Sequence, residues 1–262
     1  MIDGLVSIIM PSWNTDRFIA ESIDSVLAQT YRNWELIIVD DCSSDNTDEI
    51  VASFKDERIK YFKNEKNRGA ALTRNRAMRE AQGEWIAFLD SDDLWTPDKL
   101  EKQIHFMQSN GYVLSYTEYE KIDEDSTKLG IYVTGPEVVN KRKMYNYDYI
   151  GQLTMMYSAK HFGLIQIKDI KKNNDYAIRL QLYKHQGTKA HLLKENLALY
   201  RVRKVSISHD KFRRKFKSHY DLFHMCDEKP AVVAMWYACW NMWYGLLKKR
   251  NYERSITGGT TE

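Results

Sequence analysis

Trp85-Ile86-Ala87-Phe88-Leu89-Asp90-Ser91-Asp92-Asp93 decides how this 262-residue chain is read. A run of five apolar residues ends abruptly in three carboxylates. A buried strand that carries acids to its C-terminal end places them where open α/β sheets take ligands. Asp is depleted inside strands and costly to bury unpaired, so the cluster calls for a cation or a ligand. Asp90 and Asp92, one residue apart beside a loop, suit a hard divalent ion such as Mn²⁺ or Mg²⁺, which would hold the phosphates of a nucleotide. Taken alone, the stretch fits a capped turn equally well, with Asp93 or Thr96 starting the helix after Pro97.

Working outward, Leu5–Met10 and Trp34–Val39 are two more apolar strands, and Arg58–Phe62 reads as another. Between them lie helical patterns: Phe18, Ile19, Ile23, Val26 and Leu27; Ile50, Val51 and Phe54; and Ala70, Ala71, Leu72, Ala77 and Met78. Strands alternating with helices at this spacing predict a mostly parallel sheet with helices on both faces. The strand ends then line up Pro11–Asn14, Asp40–Asp41 and Asp90–Asp93 on one ligand edge. A helix follows Pro97 to about Asn110, then a strand at Val113–Thr117 and a hairpin tip at 120–128. Gln152–Tyr157 reads as a strand, Asp175–Tyr183 as a helix, and His191–Leu193 and Leu197–Val202 as two short strands. Residues 131–150 carry no clear pattern.

Hydrophobic residues make up 43% of the chain and charged ones 29%, which excludes a disordered protein. Met1–Gly4 has no basic leader ahead of the first strand, and Cys42, Cys226 and Cys239 form no disulfide or metal spacing. A cytoplasmic protein is expected. The net charge of +3 hides an asymmetry: residues 1–140 hold 15 Lys and Arg against 26 Asp and Glu, and residues 141–262 hold 24 against 10. An acidic front half suits a metal, and a basic back half suits an anionic partner.

Four segments are informative together: Val6–Asn14, Val39–Asp45, Asn67-Arg68-Gly69 and Asp90–Asp93. In order and spacing they resemble family 2 glycosyltransferases, inverting enzymes of GT-A fold that use nucleotide-sugar donors. Asn174–Ile178 and Tyr200–Ser208 look like the subgroup acting in bacterial teichuronic-acid, capsule or lipopolysaccharide side-chain synthesis. The resemblance implies a GT-A domain over 1–208, divided into a nucleotide-binding half (1–110) and an acceptor half (111–208). It implies that Asp41 accepts the uracil imide N–H, and that Pro11, Ser12 and Asn14 line base and ribose. Asn67, Gly69 and Arg74 would lie under the nucleotide, and Asp90 with Ser91 beside the ribose. Asp90 and Asp92 would be the DXD pair that holds Mn²⁺ or Mg²⁺, and Asp93 a structural member or helix cap. Asp175 matches the second position of the family's Glu-Asp motif and would be the general base, although Asn174 replaces the Glu. The implied partners are a UDP-sugar and a polyprenyl-diphosphate-linked saccharide, and no nucleic acid. Gln181 does not begin a Gln-x-x-Arg-Trp motif, so one sugar is added per encounter.

Some residues read differently as plain structure. Ser12 and Asn14 are turn formers, Asp40 is a structural hydrogen-bonding residue, Cys42 a turn filler, and Arg74 a solvated helix residue. Arg201–Ser208 is either a lid over the diphosphate or a solvated loop. Residues 209–256 form a basic, aromatic helical extension, with Phe212, Phe216, Tyr220 and Phe223 on one stripe, and 257–262 a loose tail. The extension either docks on an anionic inner leaflet, making the protein peripheral to the membrane, or packs as core or dimer contact. Two other functions stay open: a catalytically silent nucleotide-sugar-binding or scaffold subunit, and a nucleic-acid binder lacking any recognised signature.

Overall fold

The computed structural model describes residues 1–203 and 212–255, without the side chains of 246–250. The first half runs β1 (Ile2–Ser12), α1 (Ile19–Leu27), β2 (Trp34–Asp40), α2 (Thr47–Ser53), β3 (Ile59–Lys63), α3 (Ala70–Glu80) and β4 (Gly83–Phe88). Next come β5 (Leu94–Trp95), α4 (Lys99–Asn110), β6 (Leu114–Ile122), β7 (Lys128–Val133), β8 (Val138–Asn140) and α5 (Lys141–Asn146). The chain then forms β9 (Met156–Ser158), α6 (Ala159–Phe162), α7 (Asn174–Leu182) and β10 (Lys189–Arg201). It closes with α8 (Phe212–Asp221), α9 (Ala231–Tyr252) and β11 (Glu253–Ser255).

One sheet organises the molecule, in the order β11-β7-β6-β9-β4-β1-β2-β3. Strands β3, β2, β1 and β4 are mutually parallel, β9 runs antiparallel between β4 and β6, and β10 lies parallel to β6. The chain leaves central β1 toward β2 and β3 and returns to its other side at β4. Strand order therefore reverses at the carboxyl ends of β1 and β4, the crevice where doubly wound sheets bind ligands.

Period-two alternation sorts β1 between two cores. Ile9 joins Ile37, Phe88, Tyr157 and Ile178 on one face. Val6, Ile8 and Met10 join Ile19, Ile23, Trp34 and Leu100 on the other. The basic extension belongs to the first of these cores, since Leu222, Phe223, Cys226 and Ala234 are buried within it.

Several local expectations change. Gln152–Thr154 is a 3₁₀ turn, and strand begins only at Met156. The two short strands at 191–202 are one strand, β10, with irregular register between Leu193 and Ala198 where polar Lys194-Glu195-Asn196 intervenes. The expected stripe is unevenly buried and runs past α8: Phe212 is 74% exposed while Phe223, beyond the helix, is fully buried. The helix widens into a π turn at Leu222–Cys226, which rotates the later residues off the 3.6-residue period. The tail at 257–262 and residues 204–208 of the lid segment lie outside the described residues.

Candidate active site

Three strand ends build the acidic edge. After β1, Asn14 takes a left-handed backbone (φ 50°) that Asn tolerates, and its Oδ1 accepts the Ser44 N–H at 2.9 Å. Ser12 is buried and shares a 2.8 Å hydrogen bond with Thr15, and Pro11 beside it is half-buried. After β2, Asp40 is fully buried and accepts the Ser43 N–H at 3.0 Å, a structural contact. Asp41 is a different case. Its Oδ1 accepts from Asn64 Nδ2 and Arg68 N, both at 2.8 Å, and Oδ2 from Gly69 N at 2.7 Å. A carboxylate has about four lone-pair sites, so one stays open on Oδ2. Gly69 holds φ 82°, a conformation that demands glycine, and opens α3 beside this carboxylate. Asn67 is exposed on the same loop, and Ser91 is buried after β4.

The carboxylates after β4 are divided among three arginines. Arg74 is 4% exposed, not a solvated helix residue, and donates Nη2 to Asp90 Oδ1 at 2.8 Å and Nη1 to Asn174 Oδ1. Arg203 pairs with Asp92 at 3.3 Å. Arg201 donates its backbone N–H to buried Asp93 at 2.9 Å, and its Nε to the Asp92 carbonyl at 2.7 Å. Its Nη1 reaches the hairpin tip at Asp123, Glu124 and Ser126, and Nη2 reaches Glu21. Arg201 is thus a buried structural clamp and not part of a mobile lid. Asp93 tethers β10 and does not cap a helix, because Asp98 is the residue that precedes α4. Burial, then Asp90, push the Asp92 carboxyl upward, and burial pushes Asp93 well up.

Asp175 sits in the first turn of α7 with its side chain 41% exposed, 3.1 Å from Arg179. Burial alone would raise its carboxyl, but Arg179 and then Arg74 outweigh that and hold it below the ordinary carboxylate range. It is ionised at neutral pH, as a proton acceptor must be. Arg179 is itself buried, donating to both oxygens of Asp148 and, at 2.5 Å, to Gln152 Oε1.

Two adjoining cavities meet at Asp175. The first, of 510 Å³, is lined by Arg74, Asp90, Asp92, Arg203 and Lys171. The second, of 410 Å³, lies toward Tyr147, Asp148, Gln152 and Arg179. Asp90, Asp175, Tyr200, Lys215 and His219 line both. The first cavity therefore gathers Arg74, Asp90, Asp92 and Asp175. Asp41 and the Ser12–Asn14 turn do not line either cavity; they stand along the same sheet edge.

Among the described residues, no three His, Cys, Asp or Glu side chains form a cluster able to hold a metal ion. The Asp90–Asp92 pair nonetheless has the composition of a Mg²⁺ or Mn²⁺ site, which ordinarily uses one or two carboxylates and completes its shell with substrate phosphates and water. The upward push that Asp90 exerts on Asp92 is the repulsion a cation would relieve.

Residues 7–173 match the model of glycosyl transferase family 2. The chain belongs to this family. It is 41% identical over 88% of its length to TuaG of Bacillus subtilis, named for teichuronic acid biosynthesis, and covers 92% of that protein. It is 40% identical over 88% of its length to WfgD of Escherichia coli, named as a UDP-Glc:α-D-GlcNAc-diphosphoundecaprenol β-1,3-glucosyltransferase, covering 90% of it. Among solved structures, S. aureus TarS with UDP-GlcNAc superposes with a TM-score of 0.70 at 19% identity, over 97% of this chain and 74% of that one. The fold is GT-A, and this family 2 member is a glycosyltransferase.

Several residues of this glycosyltransferase's cleft carried no sequence signal. Asp148 and Arg179 stand 31 positions apart without a shared motif. Lys215 and His219 on α8, and Asn241 on α9, reach the cleft from the segment read as an extension. Burial holds His219 below the usual imidazole range. A helix whose polar face carries His219 four residues after Lys215 was the available hint, and the aromatic stripe obscured it.

Proposed function

We propose that this glycosyltransferase moves one sugar, with inversion, from a UDP-sugar to a polyprenyl-diphosphate-linked saccharide in bacterial surface-polysaccharide synthesis. The observation that carries the reading is the single cavity onto which Asp90, Asp92 and Asp175 all open. The names of WfgD and TarS's UDP-GlcNAc complex support donor and acceptor class. Asp41 keeps an acceptor direction open for the uracil imide, with Pro11, Ser12, Asn14 and Asn67 alongside. Gly69, Arg74 and Ser91 complete the nucleotide side. Asp90 and Asp92 would hold Mn²⁺ or Mg²⁺, which when bound would supply charge neutralisation at the leaving diphosphate. Asp175, ionised and facing the cavity, takes the proton of the acceptor hydroxyl as that oxygen attacks the anomeric carbon from the side opposite the diphosphate. Asn174 is engaged by Arg74, so an amide at that position has a task of its own and does not argue for a silent scaffold.

Access to a lipid-linked acceptor fits a protein peripheral to the inner face of the membrane. No helix among the described residues is long and apolar enough to cross a bilayer. However, α9 exposes Val232, Met235, Trp236 and Trp243, and Lys141, Arg142 and Lys229 surround the neighbouring groove. Aromatic and basic groups side by side suit an anionic interface.

Asp175→Asn tests the central assignment. Sugar transfer should vanish while UDP affinity stays within about twofold of wild type, since the amide removes the proton acceptor while Arg179 stays held by Asp148 and Gln152. Retained turnover would remove Asp175 from the mechanism.

A further inference from the structure

Resting on that reading, we infer that the 410 Å³ cavity on the far side of Asp175 is the subsite for the acceptor's terminal pyranose, with Gln152 as its hydroxyl-recognising residue. Gln152 is 7% exposed, and its orientation is fixed because Oε1 accepts from Arg179 Nη1 at 2.5 Å. Its Nε2 is left buried with no hydrogen-bond partner. Buried amide donors are normally satisfied, so an orphan lining a cavity marks where a ligand acceptor belongs. Asn173 Nδ2 and Arg74 Nε are orphaned in the same way. Asn173 lines both cavities and Arg74 lines the first, so all three unused donors stand around Asp175.

The rest of the wall has the chemistry of a sugar site. Tyr119, Tyr147 and Tyr200 line it with aromatic rings, the residue type that meets the apolar C–H face of a pyranose, and Asp148 lines it while held by Arg179. Position separates this subsite from the donor's. Asp92, Arg203 and Lys171, which suit a cation and a diphosphate, line only the first cavity. Inversion requires the attacking hydroxyl to arrive from the face away from that diphosphate. Asp175 lines both cavities, so a hydroxyl delivered from the second one reaches the proposed base without entering through the first. Arg179 ties base and subsite together, since the guanidinium that lowers the Asp175 carboxyl also orients Gln152 and Asp148.

Saturation-transfer NMR on the full chain, with methyl glycosides of hexoses and N-acetylhexosamines in saturating UDP, tests this. Gln152→Glu keeps the acceptor for Arg179 and replaces the orphaned amide donor by an oxygen; Gln152→Leu removes both. At least one glycoside should give a signal that UDP does not displace. Its affinity should fall at least about fivefold in both variants, the loss expected for one buried hydrogen bond, with UDP affinity unchanged. Gln152→Glu is the informative variant if Gln152→Leu fails to fold. Absence of any glycoside signal, displacement by UDP, or equal affinity in Gln152→Glu would overturn the subsite. A wild type that binds no UDP would instead overturn the nucleotide-sugar reading on which it rests.

Discussion

Replacing Arg179 by Met keeps most of the side chain's volume and removes one buried cation, and the structure says what that should do. Arg179 is 1% exposed and serves Asp148, Gln152 and Asp175 at once. Breaking a buried ion pair from one side costs about 3–5 kcal/mol, because the partner charge is left uncompensated. The Asp175 side chain is 41% exposed and water screens its share, whereas Asp148 is 19% exposed, so the low end applies. At about 2–4 °C per kcal/mol for a chain of this size, Tm should fall by about 6–12 °C in calorimetry. The second readout is the pH profile of kcat/KM. Burial pushes the Asp175 carboxyl up and Arg179 is its strongest counterweight. Without Arg179 the carboxyl rises, so the acid limb of the profile should move to higher pH. The sign for stability is the same: a depressed carboxyl stabilises above its unfolded pKa of about 3.9 and loses that contribution as pH falls through its folded value. The Tm gap should therefore narrow only in strongly acid buffer. A lowered Tm with an unmoved acid limb would refute the claim that Arg179 sets the protonation of the base.

Other perturbations separate structure from chemistry. Lys99 Nζ is fully buried, lacks a hydrogen-bond partner and lies 3.7 Å from the Trp95 ring centre, and burial holds its pKa well down. Lys99→Met should raise stability by about 1 kcal/mol at pH 7 in urea titrations, the desolvation relief exceeding the lost cation–π contact. The gain should shrink as pH approaches lysine's own value of about 10.4, and a gain constant with pH would contradict the cause. Arg201→Lys cannot serve the Asp92, Asp123 and Glu124 carbonyls together, so it should cost about 2–3 kcal/mol and weaken UDP binding through the displaced 90–93 loop. Unchanged Tm would show that the clamp is idle. Trp236→Ala with Trp243→Ala, at 54% and 53% exposure, should weaken flotation with anionic vesicles about tenfold and leave UDP affinity intact. Equal flotation would detach α9 from the membrane reading.

The acidic edge at the ends of β1, β2 and β4 was legible because its signals are local. Apolar runs of Ile, Val and Phe followed at once by Asp40-Asp41 or Asp90 can be read without knowing what lies beside them, and a mostly parallel sheet with helices on both faces follows from their alternation with helices. What stayed hidden depends on partners distant in sequence. Arg74 is singled out only through the family resemblance and reads equally well as a solvated helix residue, since its burial depends on Asp90 and on Asn174, 100 residues further on. The polar interruption at Lys194–Asn196 looked like a break between strands because a register shift in a continuous strand carries the same polarity pattern. The stripe reaches past α8 into Phe223, which sits in a π turn where the residues per turn change, and a periodicity argument assumes that number is constant.

The start of α7 has one more consequence. Arg74 grips Asn174 while holding Asp90, and the next residue, Asp175, is gripped by Arg179. In the proposed mechanism a donor that takes Asp90 for itself competes with Arg74, and the freed guanidinium is still bonded next to Asp175. On that reading, occupancy of the nucleotide side and the electrostatics around Asp175 are linked by one side chain. Such linkage is reciprocal, so whatever factor a bound donor imposes on acceptor affinity, a bound acceptor must return to the donor.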